Sequence, residues 1–254
     1  MNDFRPVGMF DSGVGGISVL REAVRQLPCE DFIFYGDTKN APYGTKTKEE
    51  VLALSHRIVE TLLQKDCKAI VIACNTATSA AAATLRAEYG DLPIIGMEPA
   101  LKPASLLHRN GIVLSLATPG TIAGEKYAHL YSLYGEGVIS LPCEGLMEYA
   151  ERGELDSPGL HSYLAALFQP YRNSNVEAIV LGCTHYVFLK KAIQRFFPGT
   201  PLIDGNLGTV RQLARRLGEN GLLALEERPG MVQLFSSGGP EAITKMEKLL
   251  RMQE

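Results

Sequence analysis

The sequence lacks the features by which proteins usually bind nucleic acids or membranes. Lys and Arg number 25 against 28 Asp and Glu, so the formal net charge is −3 and there is no basic surplus to neutralise phosphates. No apolar run approaches the roughly 18 residues that a membrane-spanning helix needs. The N-terminal residues lack the charged and apolar regions of a secretory signal peptide. We therefore expect a cytoplasmic protein with a small-molecule substrate and with neither a nucleic-acid nor a membrane partner.

Cysteine is sparse and irregularly spaced. The five cysteines form an odd, scattered set without CxxC spacing, which excludes a disulfide framework and a structural zinc site. We expect free thiols in a reducing compartment and no bound metal. Cys29 and Cys67 are interpreted as packing or surface thiols, and Cys143 also lacks the setting that distinguishes Cys74 and Cys183.

The apolar residues occur in short runs that alternate with helix-like stretches. With 254 residues, 46% of them apolar, the chain can bury a large core. Aliphatic runs at 69–73, 112–116 and 178–182 predict strands, and the stretches 79–88, 190–197 and 211–218 predict helices. Strands that are apolar on both faces and alternate with helices are typical of a parallel sheet covered on both sides. Ligands of such sheets bind beyond the carboxyl ends of the strands.

Two segments of the chain resemble each other. Residues 69–76 and 178–185 both read small residue, three aliphatic residues, small residue, cysteine and polar residue, so Cys74 and Cys183 take equivalent positions. Such a repeat is typical of two similar lobes around a shared cleft. We therefore expect an α/β fold of two pseudo-symmetric lobes, with mainly parallel sheets covered by helices and the active site in the cleft between them.

Two thiols at equivalent strand ends are compatible with three kinds of chemistry. A redox disulfide is a minor alternative, because redox motifs usually hold their cysteines close in sequence. A metal site is also a minor alternative, because His185 is the only further metal ligand near the pair in sequence. Acid–base chemistry is favoured, because a thiol titrates at about pH 8.5 and can exchange a proton with carbon. Two thiols on opposite faces of a carbon would invert its stereocentre without a cofactor, and Asp11 and His185 would tune them.

Polar side chains at the same strand ends are suited to bind the carboxylate of a substrate, together with backbone N–H groups. They are Ser12, Asn75, Thr76, Thr118, Thr121 and Thr184. Helix capping is the alternative interpretation of the hydroxyls, and also of Asp11.

These residues lie in a series of motifs by which the chain resembles the cofactor-independent glutamate racemases of the aspartate/glutamate racemase superfamily. The motifs occur in family order over residues 8 to 186, with a weaker match at 236–238. They are the segments 8–16 (GMFDSGVGG), 35–37 (YGD), 41–44 (APYG), 73–78 (ACNTAT), 96–99 (GMEP), 117–122 (ATPGTI) and 181–186 (LGCTHY).

The resemblance implies the interconversion of L- and D-glutamate without a cofactor, which supplies D-glutamate for peptidoglycan. It implies that Cys74 removes the α-proton of the D-isomer with help from Asp11, and that Cys183 removes that of the L-isomer with help from His185. It also implies a homodimer and two lobes, residues 1–97 with 209–254 and residues 98–208. The implied substrate-binding residues are Asp11, Ser12, Pro42, Tyr43, Gly44, Cys74, Asn75, Thr76, Thr118, Thr121, Cys183, Thr184 and His185.

One segment departs from the family pattern. The family usually has Cys-Pro-x-x-Val-Pro-x-x-Glu, whereas the chain has Glu at both proline positions, Glu144 and Glu148. The resemblance places the acidic helper of the catalytic site on Glu151. Glu148, one helical turn away, is the competing candidate, and we expect Asp37 only to organise a loop.

Two other functions are compatible with the same residues. The proton chemistry would serve aspartate or a related amino acid equally well, and relative rates would decide between these substrates. A non-catalytic binding protein with the same two lobes would bind its ligand without exchanging the α-hydrogen in deuterated water.

Overall fold

The computed structural model describes residues 3–224 and 228–252. The chain divides into two compact units, one formed by Met1–Met97 with Asn206–Glu254 and the other by Glu98–Gly205. Each unit contains one sheet and the helices that cover it.

The strands of the described residues are short, with three to six residues each. They are β1 Val7–Asp11, β2 Phe32–Gly36, β3 Ala69–Ile72, β4 Ile94–Gly96, β5 Ile112–Ala117, β6 Val138–Pro142, β7 Val176–Leu181, β8 Leu202–Asp204 and β9 Val232–Ser236.

Helices follow most of these strands within the described residues. They are α1 Ile17–Gln26, α2 Lys48–Leu63, α3 Asn75–Glu88, α4 Leu101–Ser105, α5 Pro119–Ile122, α6 Glu125–Tyr134, α7 Leu146–Arg152, α8 Pro158–Phe168, α9 Lys190–Gln194, α10 Asn206–Glu219 and α11 Pro240–Arg251. Short 3-10 turns include Thr38–Asn40, Tyr43–Thr45 and Thr184–Leu189.

The two sheets are parallel and share one strand order. In the described part of the first unit the order is β4-β3-β1-β2-β9, and in the second it is β6-β5-β7-β8. If β9 is set aside, β1 to β4 correspond in order to β5 to β8. The predicted α/β fold with two parallel sheets covered by helices is confirmed, and the strand order matches the internal repeat of the sequence.

Burial on both faces of the central strands explains their continuous apolar sequences. In β5 and β7, Leu114, Leu116 and Ile179 belong to one buried cluster, whereas Val113 and Val180 belong to another. Alternate residues of a strand point to opposite faces, so these strands need apolar residues throughout. Helix α8 packs on the first cluster through Leu160, Leu164 and Phe168, whose spacing of four places them on one helical face.

Two helices begin earlier than their apolar spacing predicts. Helix α3 begins at Asn75 rather than at residue 79, because the Cys74 side chain accepts a hydrogen bond from Ala77 N and caps the helix. Helix α10 begins at Asn206, before the predicted stretch 211–218. Conversely, α9 ends at Gln194 and is preceded by the 3-10 turn, so the predicted helix 190–197 is shorter than expected.

A buried ion pair lies in the first unit. Lys68 Nζ is 2.6 Å from Glu30 Oε2, and the two side chains are 0% and 2% exposed. The other carboxylate oxygen of Glu30 accepts a hydrogen bond from Ala224 N at 2.8 Å. The pair therefore links the segment between α1 and β2 to the start of β3 and to the chain after α10.

None of the helices among the described residues is both long enough and apolar enough to cross a membrane.

Candidate active site

Each sheet has a point at which the chain direction across the sheet reverses, between β1 and β3 and between β5 and β7. Ligands of parallel α/β sheets bind beyond the strand ends at such points. The predicted residues of the first unit lie at or just beyond the ends of β1 and β3, and those of the second lie just beyond the ends of β5 and β7. The exceptions are Glu151, which lies in α7, and the residues Pro42, Tyr43 and Gly44, which lie in the loop after β2.

In the first unit, Cys74 is held at the start of α3 by two hydrogen bonds. Its thiol donates to Ser12 Oγ at 3.5 Å, and its Sγ accepts from Ala77 N at 3.4 Å. Cys74 is buried, with 6% of its surface exposed. The N–H donor and the positive end of the helix dipole both stabilise negative charge on the sulfur.

Asp11 ends β1 and is fully buried. Its Oδ2 accepts a hydrogen bond from Gly13 N at 3.0 Å. Gly16 allows the backbone before α1 to pass close to this residue, because a Cβ at Gly16 would lie 2.6 Å from Asp11 Cβ and 3.0 Å from Ala73 Cβ. Asp11 and Ala73, the residue before Cys74, therefore both lie close to Gly16.

Tyr43 is buried, and its phenol donates to Asp37 Oδ2 at 2.6 Å. Asn40 Nδ2 donates to the same carboxylate at 2.9 Å. Burial raises the pKa of Tyr43 far above its ordinary value, and so do the hydrogen bond to Asp37 and the negative charges of Asp37, Cys74 and Asp11. Tyr43 therefore stays protonated and remains a hydrogen-bond donor. Pro42 and Gly44, on either side of it, are partly exposed.

Asn75 and Thr76 are buried in the first turn of α3. In the described part of the chain, Asn75 Oδ1 is buried and has no hydrogen-bond partner. A buried acceptor without a donor is costly, so this oxygen is suited to a donor group of a ligand.

In the second unit, Thr118 and Thr121 bond to each other beside the end of β5. Their hydroxyls are 2.9 Å apart, and Thr121 N donates to Thr118 Oγ1 at 3.2 Å. Both residues are buried. The capping interpretation of Thr118 is confirmed for the short helix α5.

Cys183, His185 and Glu151 form a hydrogen-bonded series. Cys183 Sγ is 3.6 Å from His185 Nδ1, and His185 Nε2 is 2.7 Å from Glu151 Oε1. Thr184 Oγ1 also lies 3.5 Å from His185 Nδ1. Of the two candidate carboxylates, the structure brings Glu151 to the histidine. Glu148 Oε2 is buried without a hydrogen-bond partner among the described residues.

The neighbours of His185 control its charge. Burial by itself lowers the pKa of His185, but hydrogen bonds to Cys183 and Glu151, and the negative charge of both, raise it well above the ordinary value. A thiol, an imidazole and a carboxylate in this order are the usual arrangement for activating a sulfur, with the carboxylate orienting the ring.

We expect Glu151→Gln to lower the pKa of His185, because the amide keeps a hydrogen-bond acceptor but removes the negative charge that favours imidazolium. A titration of the His185 ring by NMR would then show half-protonation at lower pH in the variant than in wild type. Glu148→Gln, one helical turn away, is the matched control and should leave the titration unchanged. A larger shift in the Glu148 variant than in the Glu151 variant would contradict this assignment.

Sequence reasoning gave no role to Tyr186, although the structure connects it to this series. Its hydroxyl donates to Cys143 O at 3.1 Å, and its side chain is fully buried. This bond ties the residue after His185 to the segment that leads into α7, which carries Glu151. Burial raises the pKa of the Cys143 thiol to about 12, so Cys143 remains protonated at neutral pH.

The sequence matches a known family model over most of its length. The model described as Asp/Glu/Hydantoin racemase matches residues 11–213. The glutamate racemase of Clostridium botulinum is 47% identical over 249 residues, which cover 97% of this chain and 96% of the relative.

Solved structures of the same kind have the same fold. A glutamate racemase isoform from Bacillus anthracis has a TM-score of 0.86 at 31% identity, with 98% of this chain and 94% of that chain covered. The Francisella tularensis glutamate racemase in complex with D-glutamate has a TM-score of 0.83 at 29% identity, covering 99% of this chain and 95% of that chain. The chain therefore belongs to the Asp/Glu/Hydantoin racemase family and, within it, to the glutamate racemases.

Proposed function

We propose that the protein interconverts L- and D-glutamate and that Cys74 and Cys183 carry the proton. The observation that supports this most strongly is the equivalence of the two thiols. Each follows the third strand of a unit with the same strand order, beside the point where the chain direction reverses. A reaction that must run on two opposite faces of one carbon needs two such groups.

The proposed step conserves atoms and electrons. A thiolate removes the α-proton, and the electron pair of the C–H bond moves into the enolate formed with the α-carboxylate. The thiol on the opposite face then donates its proton to the α-carbon. The configuration inverts, one thiolate and one thiol exchange protonation states, and no oxidation or reduction takes place.

The two thiols have different helpers in this proposal. Cys183 removes the α-proton of L-glutamate, with His185 and Glu151 stabilising the thiolate through the hydrogen bonds described above. Cys74 removes that of D-glutamate, with Asp11 as its helper. The hydrogen bond from Ala77 N and the start of α3 also stabilise the Cys74 thiolate.

The proposed substrate-binding residues include both hydrogen-bond acceptors and hydrogen-bond donors. Asn75 Oδ1 is an acceptor that suits the α-ammonium group, and Tyr43 is a donor because it stays protonated. The two carboxylates are bound by hydroxyl and backbone N–H groups. The proposed binding residues are Asp11, Ser12, Pro42, Tyr43, Gly44, Cys74, Asn75, Thr76, Thr118, Thr121, Cys183, Thr184 and His185.

The activity is tested by following optical rotation of each glutamate enantiomer with purified protein, without added pyridoxal phosphate or metal. We expect both enantiomers to reach the racemic mixture, at a higher rate than L- or D-aspartate under the same conditions. A folded protein that left glutamate unchanged, or that acted faster on aspartate, would contradict the proposed substrate.

We further propose that the protein acts as a cytoplasmic homodimer and that its D-glutamate is used for peptidoglycan. The support is the family to which the chain belongs. Light scattering of the purified protein should give about twice the chain mass of 27.6 kDa. A mass equal to that of one chain at all concentrations would exclude the dimer.

A further inference from the structure

We propose that the last residue of β9 and the two residues after it position the substrate-binding loop that contains Tyr43. We call Ser236, Ser237 and Gly238 the C-terminal clasp. The inference rests on the proposed function, in which Pro42, Tyr43 and Gly44 hold glutamate, and it gives these three distant residues a role as positioning residues for that site.

The clasp reaches the loop because β9 is the parallel neighbour of β2. Gly36, the last residue of β2, is paired in register with Ser236, the last residue of β9. Both strands therefore end at the same level of the sheet. The chain after β2 contains Asp37 and the Thr38–Asn40 turn, and the clasp consists of the last residue of β9 and the two residues that follow it.

Hydrogen bonds join the clasp to this turn and to the end of β2. The hydroxyls of Thr38 and Ser236 are 2.8 Å apart, and Lys39 N donates to Ser237 Oγ at 3.0 Å. Ser237 N donates to Gly36 O at 3.2 Å. Within the clasp, Gly238 N donates to Ser236 Oγ at 3.0 Å. The two serine hydroxyls therefore satisfy one side-chain and one backbone group of the turn.

Close packing adds to these bonds. A Cβ at Gly238 would collide with Thr38 Oγ1, so the clasp backbone passes directly beside the turn. Gly36 is similarly crowded, since a Cβ there would lie 2.8 Å from Gly13 O and 3.1 Å from Met246 Sδ in α11. The C-terminal helix thus also contacts the end of β2.

The Thr38–Asn40 turn is connected to Tyr43 through Asp37. Asp37 is 2% exposed and begins the turn, and its carboxylate accepts hydrogen bonds from both Asn40 Nδ2 and the Tyr43 hydroxyl. A shift of the Thr38–Asn40 turn would therefore move Asp37, which accepts the hydrogen bond of the Tyr43 phenol. The contacts run from the clasp to the turn, from the turn to Asp37, and from Asp37 to Tyr43.

The kinetic test is a double variant, Ser236→Ala with Ser237→Ala. Of the three hydrogen bonds lost, two join the clasp to the turn, and loss of two neutral hydrogen bonds corresponds to roughly a tenfold change in an equilibrium constant. We therefore expect KM for glutamate to rise about tenfold with kcat close to wild type. Ser236→Thr with Ser237→Thr keeps both hydroxyls and should restore KM. Thr244→Ala is the matched control, because this exposed hydroxyl in α11 bonds only to Pro240 O among the contacts described. It should leave both constants unchanged.

Hydrogen–deuterium exchange of residues 37–45 provides a readout that needs no activity. We expect the Lys39 amide to exchange faster in the double alanine variant than in wild type and in Thr244→Ala. Unchanged exchange would overturn the clasp, and faster exchange with unchanged KM would overturn its role in substrate binding. If wild type fails to racemise glutamate, the proposed function fails, whereas the exchange result still decides whether the clasp holds the turn.

Discussion

Replacement of either Cys74 or Cys183 by alanine is expected to lower kcat/KM for glutamate racemisation by about 10³-fold or more, because each variant loses one of the two proton-transfer groups. The loss should be equal for L- and D-glutamate. Enantiomers have the same free energy, so the equilibrium constant is one and kcat/KM must be the same in both directions. Optical rotation started from each enantiomer measures both values.

Cys67→Ala is the matched control for these variants. Cys67 is also a buried thiol of the first unit, but burial raises its pKa to about 12, so it remains protonated at neutral pH. Its loss should leave kcat/KM close to wild type. Circular dichroism spectra of the variants should coincide with the wild-type spectrum. Retention of more than about one tenth of the activity by either Cys74→Ala or Cys183→Ala would contradict the two-thiol scheme.

The largest expected effect on stability comes from the buried pair of Glu30 and Lys68. Lys68→Met should reduce the free energy of unfolding by about 3–5 kcal/mol, because it leaves the Glu30 carboxylate buried without its counter-charge. This is a large part of the ~5–15 kcal/mol that stabilises an ordinary domain. Urea unfolding at neutral pH, followed by circular dichroism, measures the change.

Two further variants isolate the cause of this loss. Glu30→Gln combined with Lys68→Met removes both charges and keeps an acceptor for Ala224 N, so it should be more stable than Lys68→Met alone. Arg25→Met removes an ion pair with Glu22 in which the arginine side chain is 67% exposed, and it should cost less than about 1 kcal/mol. If Lys68→Met costs no more than Arg25→Met, the buried pair does not stabilise the fold.

The sequence predicts most clearly those reactive residues that directly follow a predicted strand. Cys74 and Cys183 are recognisable because each directly follows an aliphatic run, and the matching strand order of the two sheets accounts for their similarity. Glu151 is identified by its position in the family pattern, and its contact with His185 is compatible with that role. The local sequence pattern alone is enough to predict where each thiol lies relative to the end of its strand.

Contacts between distant segments are harder to predict. The sequence predicts only that Asp37 organises a loop, and nothing near it in sequence indicates that Thr38 and Lys39, which follow it, bond to Ser236 and Ser237. That contact exists only because β9 pairs with β2, across 198 residues of sequence between Thr38 and Ser236. The early start of α3 is missed for a different reason, since cysteine is an unusual capping residue.

The most direct measurement of the central claim is the incorporation of deuterium at the α-carbon by the two single variants. In deuterated water, Cys183→Ala retains Cys74 and should exchange the α-hydrogen of D-glutamate without inverting it, while leaving L-glutamate protiated. Cys74→Ala should do the reverse. NMR of the recovered amino acid detects the exchange. If both variants label the same enantiomer, or if neither variant labels any, Cys74 and Cys183 do not serve as the two bases of this reaction.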